Sequence, residues 1–135
     1  MQKNDSDSPA GRTVLIVDDE FGVLEVLEFI LQDAGFKVVS AVNGQDALVR
    51  LKETKPDLVI VDLMMPILDG IGVIQSIRSD DGLRNIPIIL VSALPESTVS
   101  QRSQAYNAFL RKPYKTEDLM REIAILLGGV NSDSK

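Results

Sequence analysis

Apolar residues fall in short blocks along this chain, and the period inside successive blocks alternates between two kinds. In "TVLIVDD", Val14 to Val17 form an unbroken apolar run of strand length that ends on Asp18 and Asp19. The next stretch, "EFGVLEVLEFILQDAGF", instead spaces Phe21, Leu24, Leu27, Ile30, Leu31 and Ala34 close to a helical repeat, with Gly35 placed to stop it. The alternation then continues. "KVVSAV" reads as a strand, "GQDALVRLKET" as a helix closed before Pro56, "LVIVD" as a strand and "GIGVIQSIRS" as a helix. "IPIILVSA" is a strand opened through Pro87, where a missing N–H matters least, and "AFLRK" is the fifth strand. "TEDLMREIAILL" closes the series as a helix, with Thr116 as its N-cap, acids in its first turn and Gly128-Gly129 beyond its end.

Five alternations of strand and helix predict an α/β fold, with a parallel sheet covered by helices on both faces. The expected arrangement is the doubly wound, flavodoxin-like one, in strand order 2-1-3-4-5. One element is weak. After Leu94, "LPESTVSQRSQAYN" offers only Val99 and Tyr106 as large apolar residues, so a fourth helix there has little to bury and is expected to be short or mobile. Residues 1–13 have no apolar period and read as a disordered lead-in, residues 14–129 as one domain and 130–135 as a tail.

Composition narrows the chemistry. An apolar content of 44% suffices for one core, and the net charge of -6 is the wrong sign for tracking a phosphate backbone, so no direct nucleic-acid binding is expected. No apolar run reaches the length of a membrane span and the start is too polar for a secretory signal, which together predict a cytoplasmic protein that does not bind membranes. The chain has no cysteine and no histidine. Thiolate and Ser-His nucleophiles, imidazole-bound zinc and a phosphohistidine on this chain are excluded. What remains is carboxylates, hydroxyls, lysine and metals that prefer oxygen.

Such groups gather where the strands end. The first strand closes on Asp18 and Asp19, the third on Asp62, the fourth on Ser92 and the fifth on Lys112, whereas the second runs into Ala41, Val42 and Asn43 and brings no charge. In the order 2-1-3-4-5 that second strand is the outer one, and ligands of such sheets bind beyond the carboxyl ends of the strands. Taken singly, paired acids after a strand are more often a solvated loop, and a lysine before proline is most often a surface residue. Their coincidence at four neighbouring strand ends is what carries meaning. Three gathered carboxylates repel by roughly 4 kcal/mol per pair at ~4 Å and an effective dielectric of ~20, so they call for a cation. Mg2+ suits hard oxygen ligands and couples to phosphate oxygens. Lys112 can add positive charge and Ser92 a hydroxyl, leaving Asp62 as a nucleophile able to form an acyl phosphate. "DGIGVIQ" lacks the third glycine of a dinucleotide fingerprint, and Asp69-Gly70 reads as turn and N-cap chemistry.

"VLIVDDE", "PDLVIVDLMMPILDG", "IPIILVSA" and "FLRKPY", in that order, resemble the receiver domain of two-component response regulators, from about Val14 to Gly128. The resemblance implies a phosphoacceptor, Asp62, served by a histidine kinase or histidine phosphotransfer protein. It further implies Mg2+ bound directly by Asp19, through water by Asp18, and by Asp62 and the Met64 carbonyl. Lys112 and Ser92 would contact phosphoryl oxygens, and the Lys112–Pro113 bond would be cis. Ser92 and Phe109 would be a switch pair that reshapes the face of the fourth helix, fifth strand and fifth helix, where a downstream protein docks. The absence of histidine agrees with a separate donor.

This sequence also departs from the family. Ser92 stands where threonine is usual, Phe109 lacks a phenolic oxygen, and Ala105-Tyr106 replaces a small Gly-Ala pair. Met64 and Leu94 flank the path of an attacking water and cannot orient it, so a persistent phosphoryl group is expected. An aspartyl-phosphate hydrolase would need a second acid two residues after the nucleophile, where Met64 stands; the chain is therefore read as a switch and not an enzyme on outside substrates. An adaptor that works without phosphorylation is the remaining class, and the intact Asp19, Asp62, Ser92 and Lys112 argue against it. The expected protein is a single-domain response regulator, monomeric or dimerising on phosphorylation; the alternative is a receiver excised from a hybrid histidine kinase or larger regulator.

Overall fold

The structure is a computed structural model that describes residues 11–128. Most of the expected lead-in and the whole expected tail lie outside those residues. Ten elements alternate: β1 (Thr13–Val17), α1 (Phe21–Asp33), β2 (Lys37–Ala41), α2 (Gly44–Thr54), β3 (Leu58–Asp62), α3 (Gly70–Arg78), β4 (Ile88–Ser92), α4 (Glu96–Val99), β5 (Ala108–Arg111) and α5 (Thr116–Leu126). The strands form one parallel sheet in the order β2-β1-β3-β4-β5, as the pattern predicts.

The central strands are buried on both faces, which is why they read as unbroken apolar runs. Their side chains still alternate. Leu15, Val17, Val59, Val61, Ile88 and Leu90 point into one core with α2 and α3, while Val14, Ile16, Leu58, Ile60, Ile89 and Val91 point into the other with α1 and α5. The helix boundaries have identifiable causes. Asn43 caps α2 by accepting the Asp46 N–H at 2.7 Å, and Asp69 caps α3 by accepting the Gly72 N–H at 3.0 Å. At the end of α1 the Gly35 N–H bonds to Gln32 O and the Phe36 N–H to Leu31 O. Gly35 takes φ 102, a left-handed turn that glycine enters without strain.

Two expectations need correction. Phe21 does not belong to the buried face of α1, which is Leu24, Leu27 and Leu31; it is 71% exposed. It opens the helix a short loop past β1, before α1 has come back over the sheet. Thr116 is not the N-cap of α5 but its first helical residue. Lys115, in an extended conformation, takes the cap position without a side-chain bond, and Glu117 and Asp118 face the free N–H groups of the first turn.

The fourth helix is a single turn that buries only Val99, in keeping with its missing apolar stripe. The loops on either side of β4 are gathered instead by Arg78. Its guanidinium donates to Ala105 O at 2.9 Å, to Arg84 O and Ile86 O at 2.8 Å, and to Asn107 Oδ1 at 2.7 Å. The planar fork satisfies four acceptors that no apolar packing could hold.

Candidate functional site

Register brings the acids together. β1 and β3 are neighbours with Val17 opposite Val61, so the next residues, Asp18 and Asp62, leave the sheet side by side. Asp19 follows on the same loop, and one carboxylate oxygen from each of Asp18, Asp19 and Asp62 lies within 4.8 Å of the others. Asp18 and Asp62 are buried and Asp19 is exposed. Asp18 is oriented by the Glu20 N–H, which donates to its Oδ1 at 2.9 Å.

Lys112 arrives from the other side. The end of β5 is held by Ser92, which pairs with Arg111 and whose carbonyl accepts the Lys112 N–H at 2.8 Å. The Lys112–Pro113 bond is cis, as the resemblance implies. Lys112 Nζ stands 3.0 Å from Asp62 Oδ1 and 3.6 Å from Asp18 Oδ2. Burial pushes the Asp62 carboxyl above its ordinary value, against the hydrogen bond and charge of Lys112, and the charges of Asp18 and Asp19 push the same way. Burial works to lower Lys112, but its bond to Asp62 and the charges of Asp62, Asp18 and Glu20 outweigh it, so its pKa is raised. The two directions are compatible: one ammonium reaches two of the three gathered acids and cannot compensate all of them. Three negative charges and one positive leave an excess of two, the charge of one divalent cation. Convergent oxygen donors of this kind fit a hard metal ion.

The other residues marked in the sequence lie on β4, on β5 and in the loops that follow β3 and β4. Ser92 is fully buried at the end of β4, and its oxygen accepts the Leu94 N–H at 3.0 Å. Phe109 sits on β5 opposite Leu90, half-buried against the core, with the Tyr106 ring 6.0 Å away. Met64 and Leu94 are both exposed. Gly70 is pressed against the site's backbone: a Cβ there would meet Asp62 O at 2.6 Å and Leu63 Cα at 2.9 Å. Arg102 donates to Asp69 Oδ2 at 2.8 Å. It lies in no motif and on no apolar period, so nothing in the sequence marks it.

Three comparisons place this arrangement among known proteins. The family model described as "response regulator receiver domain" matches residues 14–124. The probable transcriptional regulator ycf27 of Porphyridium aerugineum is 37% identical over 125 residues, covering 90% of this chain and 50% of that protein. The chain spans about half the length of the curated relatives it matches. Among solved structures, the signal receiver domain of a signal transduction histidine kinase from Syntrophus aciditrophicus superposes with TM-score 0.82 at 33% identity, covering 90% of this chain and 93% of that one. The response regulator TrrA of Thermotoga maritima, solved in complex with Mg2+–BeF, has TM-score 0.77 at 30% identity, covering 85% and 98%.

Proposed function

The chain belongs to the response regulator receiver family, and on that premise we propose that it is a phosphoacceptor switch whose reactive group is Asp62. A carboxylate oxygen of Asp62 attacks the phosphorus of a phosphohistidine on a histidine kinase or phosphotransfer protein. The new P–O bond forms as the P–N bond breaks, and the imidazole nitrogen leaves with its electron pair. Lys112 holds its positive charge against the phosphoryl oxygens and Ser92 can turn its hydroxyl toward them. Asp19, Asp62 and the Met64 carbonyl would hold Mg2+ directly and Asp18 through water. Bound there, the ion supplies charge neutralisation between the acids and the incoming phosphoryl group.

The observation that carries this reading is the convergence of the Asp18, Asp19 and Asp62 oxygens with the Lys112 ammonium at one sheet edge. The Mg2+–BeF complex of TrrA supports it by likeness. The output is a rearrangement of Ser92 and Phe109 that changes the face of α4, β5 and α5 and so controls a protein partner. Two forms of output are consistent with the switch. One is a stand-alone cytoplasmic regulator that docks another protein, as a monomer or a phosphorylation-dependent dimer. The other is the receiver of a longer regulator, the arrangement of relatives of which this chain spans about half. Among the described residues no helix is long and apolar enough to cross a membrane.

Incubation with acetyl phosphate and Mg2+, followed by intact mass measurement, tests the proposal. One phosphoryl adduct is expected, absent without Mg2+ and absent in Asp62→Ala. An unmodified wild-type chain would favour the phosphorylation-independent adaptor instead.

A further inference from the structure

Between the loop that follows β3 and the turn that follows α4 lies an open cleft of about 480 Å3, lined by Met64, Met65, Pro66, Asp69 and Arg102. The Arg102–Asp69 contact across it, at 2.8 Å, is the shortest ion pair among the described residues. Asp69 is already committed on its other oxygen, which caps α3 through the Gly72 N–H. Burial works to raise the Asp69 carboxyl, but Arg102 and the Gly72 amide carry it below the usual carboxylate range. Asp69 also adjoins the reactive strand end, because Gly70 N–H donates to Leu63 O at 2.9 Å and Gly70 rests on the Asp62 carbonyl. Arg102, Asp69, Gly70 and Asp62 thus form one continuous chain of contacts.

On the other side of the cleft, the α4 segment has little else to hold it. α4 buries only Val99, and its first turn is tied by the Tyr106 hydroxyl, which donates to Glu96 Oε2 at 2.8 Å. Polar ties rather than an apolar stripe set where this segment lies.

We propose that Arg102 is a positioning residue for the phosphoacceptor site: by holding Asp69 it fixes the loop from Leu63 to Gly70, and it couples that loop to the α4 segment. The loop includes Met64, whose carbonyl faces the cation in the proposed function, and the consequence for phosphorylation rests on that reading; the coupling itself does not. Coupling of this kind is reciprocal, so loosening either end loosens the other.

Four variants test it: Arg102→Ala, Arg102→Lys, Asp69→Asn, which keeps a capping side chain while removing the charge, and the Arg102→Ala/Asp69→Asn pair. Amide hydrogen exchange on metal-free protein is the first readout. Arg102→Ala is expected to speed exchange at Leu68 and Gly70, and Asp69→Asn to speed it at Val99 to Ser103, each by about threefold, the size of effect a half-exposed ion pair supports. Arg102→Lys restores most of the protection, and the double variant exceeds neither single one. The second readout is the Mg2+ concentration giving half-maximal modification by acetyl phosphate, expected to rise about threefold in Arg102→Ala with the maximal rate kept and the melting temperature lowered by no more than about 3 °C. Exchange that changes only beside each substitution, or effects that add in the double variant, would overturn the coupling. A wild-type chain that forms no adduct would instead overturn the proposed function, leaving the exchange result to decide the coupling by itself.

Discussion

Replacing Lys112 with methionine removes the one ammonium from the acid cluster and keeps an unbranched stem of similar length. In the native site Nζ lies 3.0 Å from Asp62 and 3.6 Å from Asp18. At an effective dielectric of about 20, each contact represents on the order of 5 kcal/mol of attraction. Most of that offsets the cost of holding two buried carboxylates away from water and is not net stability. Lys112 keeps 30% of its side chain exposed, so solvent screens part of the loss. The expected net destabilisation at neutral pH in chelator is about 3 kcal/mol, the low end for breaking a buried pair. For a domain of this size that is roughly 10 °C in Tm.

The pH dependence gives the sharper check. The folded Asp62 pKa is raised, so its contribution to stability is present below the unfolded value of 3.8 and is lost as pH rises through the folded value. Without the ammonium that folded value moves higher still, and a proton on Asp62 takes the place of the lost cation. Lys112→Met should therefore regain part of its deficit on acidification from about pH 7 to about pH 5, and part of it at neutral pH on addition of Mg2+. In the wild type, Lys112 has a raised pKa, so its own contribution is complete below 10.5 and is lost only as pH climbs through the raised value. Urea unfolding at the two acid-to-neutral conditions, with and without Mg2+, measures all of this. A deficit below about 0.5 kcal/mol, within the range of an ordinary surface ion pair, or one that is equal at both pH values, would refute the view of Lys112 as the acids' counter-charge.

Other outcomes follow from the same structure. Gly70→Ala sets a Cβ against the backbone of Asp62 and Leu63, and a destabilisation of at least about 2 kcal/mol is expected by calorimetry, with slowed acetyl phosphate modification; a silent substitution would contradict the close packing of α3 on the site. Arg78→Lys cannot reproduce a fork that reaches four acceptors, so about 2 kcal/mol of stability should be lost in denaturant titration, with faster amide exchange at Asn107 and Ile88. Met64→Asn sets a polar amide two residues after Asp62, at an exposed position, and under the proposed function the phosphoryl lifetime followed by mass should shorten several-fold; an unchanged lifetime would refute the expectation that Met64 prolongs it.

Much of this architecture is legible in the linear pattern, for a physical reason. A strand buried on both faces has to be apolar at every position, and a helix covering it has to be apolar at every third or fourth, so "LVIVD" and "GQDALVRLKET" announce β3 and α2 with their observed limits. Asp18, Asp19, Asp62 and Lys112 are conspicuous because each interrupts or follows an apolar run where the sheet ends. Local signals reach no further than their own element. That Asp18 and Asp62 meet depends on β1 and β3 being neighbours, and that one lysine faces two of the acids depends on where β5 ends. Phe21 sits at a helical interval yet finds no sheet beneath it, and Thr116 has the chemistry of a cap without its backbone conformation. Arg78 and Arg102 reach partners about thirty residues away that the chain brings close only after folding. Burial leaves a periodic trace in sequence because it acts on every turn of an element; a single long-range hydrogen bond or ion pair leaves none, so the tertiary structure alone decides it.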